Sequence, residues 1–278
     1  DASKSRGLGD VYKRQIIMTS ESDDIAVGQT SGSSLTENVR GLWGGLLVMG
    51  NAPCSFSGDV AELQIEGIPA SETAGLYGGS DPADNSGVIQ YVSIRHGGAE
   101  IGEGNEINGL TLGGVGTGTT IDHIEVVGNV DDGIEFFGGT VNASELLVWG
   151  QGDDGLDIDQ AYAGTISNSM VILNSASDHA LEIDGPEGSA PGSFTLNNIT
   201  LVGTNDECDP TGVDGEISDY RKGATGANNN VYVMNFTDGK DIELDKDADA
   251  NSYTAGTLTF SGYQFTPATD GGNDCFTP

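Results

Sequence analysis

Val141-NASELLVWGQGDDGLDI-Asp159, Ile166-SNSMVILNSASDHALEI-Asp184 and Ala227-NNNVYVMNFTDGKDIEL-Asp245 align with one another without a gap. Each runs through a small polar cluster, a strand of about five residues, a polar turn and an apolar–acidic–apolar triplet. The triplets are Leu156-Asp157-Ile158, Leu181-Glu182-Ile183 and Ile242-Glu243-Leu244, and a fourth, Ile134-Glu135-Phe136, follows Thr120-IDHIEVVGNVDDG. Glu135 and Asp157 are 22 residues apart and Asp157 and Glu182 are 25 apart. From Glu182 to Glu243 the gap is 61, which leaves room for one further coil, begun by Phe194-TLNNITLV, and an insertion. Upstream, Val88-IQYVSI and Asn108-GLTLGG read as the two strands of an earlier coil.

A period of 22 to 25 residues with two or three short strands in each is the signature of a solenoid. Apolar side chains on alternate positions face inward, and no coil buries that face until it stacks on its neighbours. Asn197-Asn198 and Asn228-Asn229-Asn230 suit left-handed corners and stacked amide ladders. The fold class read from these features is all-β, a right-handed parallel β-helix spanning residues 16–265, with an insertion at about 203–224 and an irregular tail at 266–278. Residues 1–15 carry Lys4, Arg6, Lys13 and Arg14, four of only ten basic residues, and resemble a translated adaptor from environmental sequencing. The expectation is a leader that is disordered or artefactual, with N-terminal coils missing.

Composition narrows the partners. With 10 Lys and Arg against 43 Asp and Glu, the formal net charge is -33. Such a field repels nucleic acid and anionic lipid, and there is no run of eighteen apolar residues for membrane insertion. Oligomeric state is unreadable. Of three cysteines, Cys208 and Cys275 lie in Asp-rich loop sequence and are candidates for one bridge, leaving Cys54 free.

Stacking places Glu135, Asp157, Glu182 and Glu243 in one outward column about 4.8 Å apart. At that spacing like charges repel, and what relieves them is calcium, which takes six to eight oxygen ligands, raised pKa values or a saline medium, the last making the column simply a solvated acidic face. The candidate metal ligands are Asp131, Asp132, Glu135, Asp153, Asp154, Asp157 and Glu182; no cofactor is required otherwise. Trp43, Tyr77, Trp149 and Tyr162 are candidates for stacking on sugar rings if exposed. Arg95-His96, with Glu100, Glu103 and Glu106 after it, admits a lyase site but reads better as a salt-bridged Arg beside a hydrogen-bonded His; His123 reads as structural.

Two resemblances bear on function. Gly41-LWGGLLVMGNAP, Ile65-EGIPA, Tyr77-GGSDPADNSG, Asn105-EINGLTLGGVGTGTT and Asp131-DGIEFFGGTVNA resemble a largely uncharacterised group of secreted β-helix proteins from marine and gut bacteria. That resemblance implies export, to the cell surface or beyond, and no particular reaction. Asp132, Asp153-Asp154 and His179, in register on three successive coils, are similar to the active-site layout of polygalacturonase-type glycoside hydrolases. The likeness implies an inverting mechanism in which one carboxylic acid protonates the leaving oxygen and another carboxylate activates water. This sequence departs from that pattern by an extra acid in Asn129-Val-Asp131 and by the absence of glycines around His179. Its only candidate for a cationic substrate subsite is Arg221-Lys222. The reading carried forward is a non-catalytic module that binds polysaccharide or cell-surface glycan, divalent cations, or both through its acidic face. The alternative is an inverting glycoside hydrolase acting through Asp132, Asp153, Asp154 and His179.

Overall fold

Short β-branched and leucine-rich runs separated by Gly- and Asp-rich turns leave the chain one economical way to bury its apolar residues, which is to wind them into stacked coils. The computed structural model describes residues 15–101, 107–203, 216–236 and 241–266, with backbone alone at 269–270 and 273–274. These residues form a right-handed parallel β-helix built on two long parallel sheets.

The first sheet contains β1 (Ile16–Met18), β5 (Val88–Arg95), β7 (Thr120–Val127), β9 (Ala143–Trp149), β11 (Thr165–Ile172), β13 (Phe194–Val202) and β15 (Gly226–Met234). Beyond β15 lie β17 (Leu258–Ser261) and β18 (Gln264–Thr266). The second sheet stacks β2 (Leu46–Met49), β6 (Leu110–Gly113), β8 (Ile134–Phe137), β10 (Leu156–Asp159), β12 (His179–Asp184), β14 (Glu216–Arg221) and β16 (Ile242–Leu244). A small antiparallel pair, β3 (Leu63–Gln64) and β4 (Leu76–Tyr77), lies between β2 and β5 in the chain. One helix, α1 (Asp247–Ala255), has no amphipathic stripe to announce it. Its fully buried Asp249 accepts hydrogen bonds from the amides of Gly223 and Ala224. No helix among the described residues is long and apolar enough to cross a membrane.

Register follows from the inward columns. Leu110, Ile134, Leu156 and Leu181 stack through the second sheet, as do Leu112, Phe136, Ile158, Ile183 and Tyr220 two positions on, and all are buried in one continuous core. The position between them points out and reads Leu47, Thr111, Glu135, Asp157, Glu182, Asp219, Glu243. In the first sheet, one residue near the middle of each long strand sits in the left-handed region, bending the strand into a corner: Tyr91, His123, Glu145, Asn168, Asn198 and Asn230, with φ between 52° and 57°. Asparagine tolerates that conformation best. Its amides also form the expected ladder: Asn230 donates to Asn198 (3.3 Å), Asn198 to Asn168 (3.0 Å) and Asn229 to Asn197 (3.0 Å).

Two details of the repeat differ from the gapless alignment. Ala143 pairs with Ile166, an offset of 23, whereas Leu156 pairs with Leu181, an offset of 25. The two extra residues sit in the turn between sheets, where chain length is unconstrained by strand pairing. The insertion is also shorter than expected: residues 216–221 are β14 itself, in register with β12. The leader, the Cys208–Cys275 bridge, and most of the insertion and tail fall outside the described residues. Cys54 is a free thiol, directed at the Phe137 carbonyl, and burial pushes it up to about 12.

Candidate functional site

The turn entering the second sheet carries Asp-Gly in two successive coils. A Cβ on Gly133 would lie 2.7 Å from the Gly155 carbonyl, so glycine is needed for the close approach of neighbouring coils. The backbone then stacks Asp132, Asp154 and His179 in one column, through Gly133 N–H to Asp154 O (2.8 Å) and Gly155 N–H to His179 O (2.9 Å). Their side chains bond along the same column. Asp132 Oδ1 accepts the Asp154 amide (2.9 Å), and Asp154 Oδ1 accepts both the His179 amide and its Nδ1 (2.8 Å each).

These turns and the outward column line a cleft of about 440 Å³, bounded by Glu66, Asp131, Asp132, Glu135, Asp153, Asp154, Asp157, Asp178, Glu182 and Arg221. All seven expected metal ligands are there, but not as one group. Asp132, Glu135 and Asp157 bring oxygens within 4.8 Å of one another, and Asp131, Asp132 and Asp153 do the same. Asp154 is engaged by His179, while Glu182 accepts from Arg221 and lies 3.9 Å from His179 Nδ1. Two groups had been missed as possible site residues. Asp178 belongs to the same turn as His179. Glu66 arrives from the loop between β3 and β4, where no repeat signals it.

Electrostatics sets the state of the cleft. Two ionised carboxylates 4.8 Å apart repel by about 3–4 kcal/mol at an effective dielectric of ~20. Asp132 and Glu135 are each 5% exposed. Burial first, then Asp154 and Asp131, hold Asp132 well above the usual carboxylate range. Glu135 is raised by burial, Asp132 and Glu66, and Asp157 by burial, Glu135 and Asp132. Asp132 and Glu135 each have a hydrogen-bond donor, the Asp154 amide and Asn108 Nδ2 respectively. Asp157 Oδ1 is buried with no partner. Asp153, exposed on the cleft wall, is raised by burial and Asp154 to about 6. For His179, burial opposes the charged form, but Asp154's hydrogen bond and charge outweigh it, lifting the imidazole to about 9.

The aromatic candidates leave the site. Tyr162 is 1% exposed, packs on Phe136 and donates its hydroxyl to the Val141 carbonyl, so it is core and not a sugar platform. Tyr77 is likewise buried, bonded to Gln160, and Trp43 donates to the Arg95 carbonyl. Trp149 is 39% exposed but does not line the cleft. The basic pair splits. Arg221 lines the cleft, bound to Glu182 and Asp184, whereas Lys222 sits outside it on Asp184 (2.7 Å) near Asp159. Arg95 pairs with Glu125 (2.8 Å) and buried His96 with the Val39 carbonyl (2.7 Å), a salt-bridged Arg beside a hydrogen-bonded His; Glu103 and Glu106 are outside the described residues. Exposed His123 pairs with Asp122.

A family model described as a pectate-lyase-like β-helix domain matches residues 13–274. No curated protein and no solved structure matches the chain.

Proposed function

Because the chain belongs to the pectate-lyase-like β-helix domain family, we propose that it binds polysaccharide outside the cell, using a divalent cation held by Asp132, Glu135 and Asp157, without cleaving the chain. The observation that carries this reading is the buried, unpartnered Oδ1 of Asp157, within a set of three carboxylates whose oxygens lie within 4.8 Å of one another. Oxygens that ligate one calcium ion at about 2.3–2.6 Å can be no farther apart than roughly that span. The ion would offset both the burial and the mutual repulsion that raise the proton affinity of these groups. Three protein carboxylates also leave coordination positions for Asp131, Asp153, water or the carboxylates of an anionic glycan. That last route lets a strongly acidic surface hold a polyanion.

The same geometry argues against the column as hydrolytic machinery. Asp154 and His179 satisfy each other, and an imidazole with its midpoint near 9 is protonated at neutral pH and cannot act as a general base. Asp132 and Asp153 bring oxygens within 4.8 Å, tighter than the roughly 6.5–9.5 Å that separates the carboxyl groups of an inverting pair. One observation favours the hydrolase alternative: Asp153 faces the cleft, and desolvation and Asp154 push its carboxyl up to about 6, within the range of a general acid.

Co-sedimentation with a panel of acidic and neutral polysaccharides, in calcium or chelator, with reducing ends counted in parallel, separates the two. Calcium-dependent capture without new reducing ends is the expected result. New reducing ends that vanish in Asp153→Asn would replace this reading with the hydrolase, and calcium-independent capture would remove the cation from it.

A further inference from the structure

The two sheets of the solenoid present opposite surfaces. The outward column of the second sheet carries an acid on five successive coils, from Glu135 to Glu243. The outer face of the first sheet is uncharged over a comparable length. One of its columns reads Leu147, Met170, Thr200, Tyr232 and Gln264 through β9, β11, β13, β15 and β18. The next, two residues on along the same strands, reads Trp149, Ile172, Val202, Met234 and Thr266. Between them Val148, Val171, Leu201 and Val233 point inward and are buried in the core. Trp149, Met170 and Tyr232 are 39%, 37% and 36% exposed, and Leu147, Ile172, Val202 and Met234 are half-buried. At one edge Glu125, beside Leu147, is neutralised by Arg95 (2.8 Å); at another, Glu145 stands at the corner of β9.

Single exposed apolar side chains are ordinary, but seven in two adjoining columns make one patch. From strand spacing and rise, the strip together with the corner row of Asn168, Asn198 and Asn230 measures about 25 Å by 20 Å, or roughly 500 Å², a size that marks an interaction site. Composition narrows the occupant. Sugar rings stack on aromatic faces, and the strip has only Trp149 and Tyr232, three coils or about 14 Å apart along the solenoid axis. Its other five apolar residues are aliphatic, and a Met-containing surface without Lys, Asp or Glu has the make-up of a protein–protein interface core. Charge narrows the protein. A cationic partner would be drawn to carboxylates, of which this chain has 43 against 10 Lys and Arg. A face cleared of them fits a partner that is itself strongly negative, and a second copy, with its own net charge of -33, is such a partner.

We propose that this strip is the interface of a two-fold dimer, in which the first sheets of two copies pack outer face to outer face, about 10 Å apart. Together they bury about 1,000 Å² in total, the threshold of a specific interface, so the association is weak and reversible. It uses none of the residues that line the cleft and stands whether or not the glycan reading does. Salt strengthens it, because what opposes it is repulsion between two negative chains, whereas an interface held by exposed ion pairs weakens in salt.

Sedimentation equilibrium of the full chain, from micromolar to several hundred micromolar, tests it, in chelator so that cations cannot bridge acidic surfaces. The expected result is a monomer–dimer equilibrium in 1 M sodium chloride, where the screening length is about 3 Å, weakened at least about tenfold near 10 mM, where it is about 30 Å. Thr200→Glu and Met170→Glu each put a charge inside the strip and should raise Kd by about tenfold or more, with circular dichroism unchanged. Trp149→Ala, which removes surface and adds no charge, should weaken the dimer in the same direction. A wild type that stays monomeric in 1 M salt overturns the proposal. So does a dimer that tightens as salt is removed, or one that persists undiminished in all three variants. A monomeric wild type whose capture by a neutral polysaccharide is lost in Trp149→Ala overturns it too, and gives the strip to a glycan.

Discussion

Replacing Asp219 by Asn should stabilise the protein, but only away from acid. Burial, reinforced by Glu243, Asp245 and Asp184 and opposed by His179, raises this carboxyl from 3.8 to about 6. A folded-state value above the unfolded one means that the folded protein holds the proton more tightly. The associated stability is complete below about 3.8 and is lost as pH rises through about 6. At about 1.4 kcal/mol for each tenfold change in proton affinity, ionised Asp219 costs the fold about 3 kcal/mol at pH 7.5. Solvent screening of a carboxylate this close to the surface makes that figure an upper bound. Asparagine keeps the shape and has no charge to bury. Urea denaturation in chelator should therefore show the variant about 1–3 kcal/mol more stable at pH 7.5, with the gap below about 1 kcal/mol at pH 4. A variant less stable than wild type at pH 7.5 in chelator, or an equal difference at both pH values, would refute the reasoning.

Other parts of the account can be checked separately. Tyr162→Phe removes a hydroxyl donated to the Val141 carbonyl at 2.7 Å, and should cost about 1–2 kcal/mol in urea while leaving polysaccharide capture intact. Capture lost with stability kept would return Tyr162 to the binding site. Asn198→Ala places a β-carbon with no compensating amide at φ 57° and breaks two rungs of the ladder, so a loss of about 1–2 kcal/mol is expected, with Asn198→Gly milder. An Ala variant as stable as wild type would show that the corner is unstrained. The His179 imidazole should titrate by NMR with a midpoint near 9. A midpoint below 7 would mean that Asp154 is not its partner.

Much of the architecture was legible because outward acids in the second sheet interrupt inward aliphatics with period two, and stacking repeats that interruption from coil to coil. Where a coil departed from the wording, legibility failed. The triplet of β14 is Ser218-Asp219-Tyr220, a polar residue where the neighbouring coils carry leucine or isoleucine, so a whole strand was assigned to the insertion. Turn lengths vary because nothing pairs with them, which concealed the shift between offsets of 23 and 25. The corner ladder was visible where it is asparagine and invisible at Tyr91, His123 and Glu145, which adopt the same left-handed backbone without the residue type that favours it. In the site, the column of Asp132, Asp154 and His179 was readable as a column, but the bonds between its members were not. Those bonds tie each coil to the next. Tyr162 offered no periodic cue to its burial, and Glu66 comes from outside the repeat altogether.

The central claim, a cation on Asp132, Glu135 and Asp157, is tested most directly by anomalous diffraction from crystals soaked in a lanthanide, which binds the oxygen ligands that calcium takes. The account predicts a peak in the cleft within about 2.3–2.6 Å of an oxygen from each of the three residues. A fully soaked crystal with no peak there, its lanthanide confined to other surface acids, would contradict it.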